Sequence, residues 1–180
     1  VINSNDCVFV LVDVQGKLAR LMSESERLHQ RLLTLIKGLQ LFDIPLIWLE
    51  QLPDKLGATS EELRTVLAEQ HHPIIKQHFS GWQNETCRQT LQDWGRKQVI
   101  LAGIEAHICV YQTCTDFLAQ GFDVHVVLDA IDSRDLENKK IAIKMMQAQG
   151  AQLTQTESLL FELQHIASGE RFKKLLTLIK

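Results

Sequence analysis

Short apolar runs of strand length recur along this chain, and each gives way to polar residues before an amphipathic segment begins. The first is Val8-Phe9-Val10-Leu11-Val12, stopped by Asp13-Val14-Gln15-Gly16. Its apolarity is continuous rather than alternating, the pattern of a strand buried on both faces. Pro45-Leu46-Ile47-Trp48-Leu49 is a second such run, and Ile74-Ile75-Lys76, after Pro73, is a short third. Residues 98–102 and 123–128 read as the fourth and fifth strands, and 151–154 as a sixth. Between them lie helical segments. In residues 23–43, Leu28, Leu32, Leu35, Ile36, Leu39 and Phe42 recur at three- and four-residue steps, with Ser23 and Glu26 at capping-box spacing. Further helices are expected from Thr59 onward, over 84–94, 106–120 and 137–149, and twice more before the C-terminus.

Strands alternating with amphipathic helices imply βαβ units and a parallel sheet. The expectation is one three-layer α/β/α domain over residues 1–180, with six parallel strands in the Rossmann-like order 3-2-1-4-5-6. A length of 180 residues at 45% hydrophobic composition suits one core of ordinary size.

Charge and cysteine usage narrow the function. The net charge is −3 with no basic stripe, so nucleic acid is not an expected partner. No run approaches the roughly 20 apolar residues that span a bilayer, and no membrane partner is expected. Asn3, Asn5 and Asp6 precede the first strand in place of a hydrophobic targeting segment. The four cysteines, Cys7, Cys87, Cys109 and Cys114, contain no CxxC pair. They read neither as a zinc site nor as a disulfide framework, and the expected setting is reducing and cytoplasmic.

Three strand ends carry chemistry. In a parallel sheet, ligands bind beyond the carboxyl ends of the strands, at the point where strand order reverses. In the order 3-2-1-4-5-6, Asp13 ends strand one, Lys76 ends strand three, and Cys109 follows strand four at a helix start. A helix N-terminus favours thiolate over thiol, and its N–H groups hold an oxyanion. Asp13 is placed to take the thiol proton and return it to a leaving group, with the Lys76 charge beside both. Covalent hydrolysis of a small-molecule substrate through a thioester follows.

The chain resembles the isochorismatase-like cysteine hydrolases. The pieces that match are Leu11-Val12-Asp13-Val14-Gln15, Ile74-Ile75-Lys76 and Gly103-Ile104-Glu105-Ala106-His107-Ile108-Cys109-Val110, in order and at matching spacing. Glu50-Gln51-Leu52-Pro53, Leu56-Gly57-Ala58-Thr59, Gln112-Thr113 and Asp129-Ala130-Ile131-Asp132-Ser133-Arg134 make it most similar to the isochorismatase domain-containing hydrolases without an assigned substrate. The resemblance implies Asp13, Lys76 and Cys109 as a catalytic triad. It also implies a non-proline cis peptide between Ile104 and Glu105 that aims the Glu105 and Cys109 N–H groups into an oxyanion hole. Nicotinamidases in this superfamily bind a metal through an Asp-x-His segment. Glu50-Gln51-Leu52-Pro53 lacks that pair, so no metal and no other cofactor is expected. With Cys109 present, an amide or related acyl substrate is expected rather than isochorismate, and similarity to oligomeric proteins implies a homo-oligomer.

Other residues admit two readings. Gln15 either hydrogen-bonds substrate or braces its loop. Phe79 and Trp82 either line the pocket or serve the core or a lid. Gln112, one turn past Cys109, either reaches the pocket or bonds neighbouring backbone. His107 is read as a satisfied structural histidine, and His71-His72 as a solvated loop. The alternative function is a catalytically idle oligomeric binding or assembly module, with Leu175, Leu176, Leu178 and Ile179 as exposed packing residues.

Overall fold

The computed structural model describes residues 1–180. Its centre is β1 (Cys7–Val12), six residues buried on both faces. Alternation along β1 sends Cys7, Phe9 and Leu11 into one core of 27 buried residues, and Val8, Val10 and Val12 into a second core of 21. Two cores on opposite faces of one sheet make three layers. The other strands are β2 (Leu46–Gln51), β3 (Ile74–Lys76), β4 (Gln98–Ile104), β5 (Asp123–Asp132) and β6 (Gln152–Thr154). The sheet order is β3-β2-β1-β4-β5-β6, with every neighbouring pair parallel.

The helices in chain order are α1 (Gly16–Arg20), α2 (Ser25–Gln40), α3 (Pro53–Leu56), α4 (Glu61–Leu67), α5 (Glu85–Trp94), α6 (Tyr111–Ala119), α7 (Leu136–Ala148), α8 (Thr156–Gln164) and α9 (Glu170–Ile179). The apolar residues of α2, α4, α8 and α9 fill the first core; those of α5, α6 and α7 fill the second. No helix is long and apolar enough to cross a membrane.

Several local expectations change. Ser23 and Glu26 form no capping box: α2 starts at Ser25, and Ser23 Oγ instead donates to Asp132 Oδ1 at 2.6 Å. Ser60, immediately before α4, makes no cap hydrogen bond; its hydroxyl meets His29 Nε2 at 2.7 Å. The short helices α1 and α3 fall outside the helical segments read from the sequence. Strand β5 runs on to Asp132 rather than stopping at Leu128, because its pairing with β4 slips: Leu101 faces Val126, yet Gly103 faces Ile131. Two steps on β4 match five on β5, a bulge that bends the longer strand. Leu175 is fully buried in the first core and is not an exposed packing residue; Leu176, Leu178 and Ile179 are half-buried.

Candidate active site

Register explains how residues far apart in sequence meet. β1 and β4 are direct neighbours, and Val12 pairs with Gly103. A side chain at Gly103 (φ 123°) would overlap the Val12 backbone oxygen, so only glycine permits this approach. One residue beyond Val12, Asp13 adopts φ 52°, a left-handed conformation that Asp tolerates better than most residues. One residue beyond Gly103, the Ile104–Glu105 peptide is cis. The chain then makes a wide turn over Ala106–Val110, in which Val110 N donates to Glu105 O, before α6 begins. Cys109 is the fourth residue of that turn.

Lys76 closes β3, paired through Gln51 at the end of β2. Its side chain is fully buried, and its ammonium donates to four oxygens: Asp13 Oδ2 at 2.7 Å, Gln51 Oε1 at 2.6 Å, Phe79 O at 2.9 Å and His78 O at 3.1 Å. Four acceptors for three protons fix the group as a positioned cation. The second oxygen of Asp13, Oδ1, is buried with no hydrogen-bond partner. An orphaned buried carboxylate oxygen is costly, and such atoms concentrate where a protein does chemistry. Burial raises the affinity of Asp13 for a proton more than the Lys76 ammonium lowers it.

Cys109 lines the same cavity as Asp13, and its thiol feels the charges of both Asp13 and Lys76. Burial pushes its thiol up to about 12, the Asp13 carboxylate pushes the same way, and Lys76 opposes them. Burial thus works toward a protonated thiol at rest. Cys109 precedes the regular helix α6, so the helix-terminus effect that favours thiolate is opposed here by desolvation.

Asp13 and Cys109 open onto one cavity of 260 Å³ whose lining also includes Gln51, Phe79, Ile104 and Glu105. Leu18, Leu52, Leu56 and Ile108 supply apolar wall, and Lys55 stands at the rim. The Glu105 carboxylate turns aside to accept from Arg134 N and Nε, each at 3.0 Å.

The remaining sequence candidates sit elsewhere. Gln15 is fully buried and braces its surroundings: Nε2 donates to Gln51 O and Gly57 O, and Oε1 accepts from Gln51 N at 2.6 Å. It clamps the segment that carries the cavity wall. Trp82 packs in the second core against Phe117 and Phe122, outside the cavity. Gln112 is exposed and lines a separate surface hollow with Gln77 and Ser80. His107 Nδ1 meets Ser133 Oγ at 2.8 Å, a structural bond. Sequence reasoning passed over Gln51, which holds Lys76, lines the cavity and donates Nε2 to Gln77 O. Its signal was a polar residue at the end of an otherwise apolar buried run. No group of three or more His, Cys, Asp or Glu side chains stands together in an arrangement that could hold a metal ion.

This arrangement belongs to a parallel α/β protein with an aspartate just past one strand and a cysteine on the turn after the neighbouring strand. Residues 7–158 match the family model described as the isochorismatase domain, and the chain belongs to that family. It is 32% identical over 179 residues to isochorismatase domain-containing protein 2 of Danio rerio, covering 99% of this chain and 89% of that one. Among solved structures it is similar to a MAR1 ribonuclease from Caenorhabditis elegans, with TM-score 0.92, 35% identity, and 99% and 91% of the two chains covered. It is also similar to YcaC of Escherichia coli, an octameric hydrolase of unknown specificity, with TM-score 0.92, 25% identity, and 98% and 89% covered.

Proposed function

We propose that this protein is a cysteine-nucleophile hydrolase of a small amide or related acyl compound. The observation that carries the reading is one cavity lined by both Asp13 and Cys109, with Asp13 Oδ1 left without a hydrogen-bond partner and Lys76 locked against the same carboxylate. Asp13 takes the thiol proton as sulfur attacks the acyl carbon. The Lys76 charge stabilises the anionic state while that proton is in transit. The oxyanion is assigned to the N–H groups of Glu105 and Cys109, on the turn that follows Ile104. Asp13 then gives its proton to the departing amine, leaving a thioester. Water attacks the thioester with Asp13 as base, the carboxylic acid leaves, and the sulfur regains a proton. The sum is one amide and one water converted to one acid and one amine.

The octameric relative supports a homo-oligomer, and four unpaired cysteines support a reducing, cytoplasmic setting. The ribonuclease name of the nematode relative does not carry over to the same site chemistry. A polyanion needs facing cations, and here Lys76 is buried against Asp13 while Lys55 alone stands at the rim.

The test is mass spectrometry of the protein incubated with a panel of small amides, activated esters and RNA oligonucleotides. An acyl adduct on Cys109, with turnover falling at least a thousandfold in Cys109→Ala, is expected. Acyl turnover that survives Cys109→Ala, or RNA cleavage without acyl transfer, would overturn the reading.

A further inference from the structure

The cavity beside Cys109 also defines what the substrate carries away from its reacting bond. Every charged group within its depth is already answered by the protein: Asp13 by Lys76, and Glu105 by Arg134. The polar side chains Gln51, Glu105 and Cys109 are each buried, so the surface offered to a ligand is the apolar wall. Leu18, Leu52, Ile104 and Ile108 form its sides. Leu56 and Phe79, 36% and 52% exposed, continue it outward as an apolar mouth. A charged substituent drawn into such a wall loses its hydration without a partner.

From this we infer that the substrate is an uncharged acyl compound with a short apolar tail, the acyl carbon at Cys109 and the tail along Leu18, Leu52 and Leu56. The inference rests on the hydrolase reading only for the identity of the reacting end. Size follows from volume. At the ~30 Å³ a water molecule occupies in the liquid, 260 Å³ holds about nine water-sized groups. A primary amide head uses three of them, which leaves room for a tail of about six carbons.

Binding and turnover are read separately. Primary amides from acetamide to octanamide are titrated calorimetrically into the Cys109→Ser variant, and 1-alkanols, which carry no acyl bond, into the intact protein. Kd is expected to fall about fourfold per added methylene and to level off near heptanamide. Succinamic acid, anionic at neutral pH, should bind at least tenfold weaker than pentanamide. Leu56→Asp should weaken hexanamide at least fivefold more than acetamide. Affinity independent of chain length in both series, or succinamic acid binding more tightly than pentanamide through Lys55, overturns the inference. Ammonia release by the intact protein is scored apart. Length-dependent binding without release sinks the hydrolase reading and leaves the tail pocket standing; release confined to charged amides does the reverse.

Discussion

Two hollows of the molecule are built from opposite materials. The larger, 690 Å³, lies between α2, β5, α7, β6 and α8 and is lined by Glu24, Asp129, Asp132 and Glu162 among others. Its acids are occupied. Asp129 Oδ1 accepts from Thr156 N and Oγ1 at the start of α8, and Asp132 accepts from Ser23 Oγ, Glu24 N and Ser133 N. Glu162 Oε1 accepts from Ile2 N. The smaller hollow, 260 Å³, is lined by Asp13, whose Oδ1 is the one buried side-chain oxygen in the protein that has no partner. Size and chemistry have separated. A carboxylate that caps a helix is held to a structural task, whereas one with a free lone pair beside a thiol is held ready to move a proton.

The sharpest way to break this comparison is to disturb the buried pair. Asp13→Asn leaves the Lys76 ammonium buried without its counter-ion, and Lys76→Met strands the Asp13 carboxylate. Each should cost about 3–5 kcal/mol, because removing one partner leaves an uncompensated charge. In a chain of this size that is on the order of 10 °C in Tm. The double variant Asp13→Asn with Lys76→Met should recover at least half of the loss in a thermal melt, while remaining inactive. If the double variant melts as low as the sum of the singles, the pair is not coupled as its 2.7 Å contact indicates.

A smaller effect belongs to the other hollow. Asp129→Ala removes the acceptor for the first N–H of α8 and the partner of Arg31. The expected loss is about 1–2 kcal/mol, the usual range for a lost helix cap, seen as a drop of a few degrees in Tm. The alkylation rate of Cys109 per folded molecule should stay within twofold of the parent. A large change in that rate would show that the two hollows communicate.

The sequence announced the buried strands and the polar residues that follow them for a physical reason. A strand buried on both faces must be apolar throughout, so β1, β2 and β4 stood out, and the polar residues at their ends had to face the carboxyl edge. What was illegible depended on partners distant in sequence. Ser23 had the spacing of a helix cap, but Asp132, 109 residues away, took its hydroxyl. Trp82 and Gln112 lay near the triad in sequence or by helical spacing, yet the fold sent one into the second core and the other to the surface. Gln51 was missed because nothing local says that Lys76 needs a neutral acceptor as well as Asp13. At Cys109, position near a helix start is visible in sequence, but the burial that opposes thiolate is not.

That last point gives the smallest and most quantitative test. All four thiols are pushed up to about 12, chiefly by burial. Acidity therefore does not single out Cys109, but access does: Cys109 is 8% exposed at the end of the cavity, whereas Cys7, Cys87 and Cys114 are at 0%. Iodoacetamide reacts with thiolate. Well below the pKa the thiolate fraction grows about tenfold per pH unit, so Cys109 labelling, followed by peptide mass spectrometry, should rise about tenfold per unit from pH 6 to pH 9. The other three should stay unlabelled until the fold is lost. A rate for Cys109 that is already level at pH 7 would mean a thiolate at rest, stabilised by Lys76 against burial. Asp13 would then act only on the leaving group and the attacking water, not on the nucleophile.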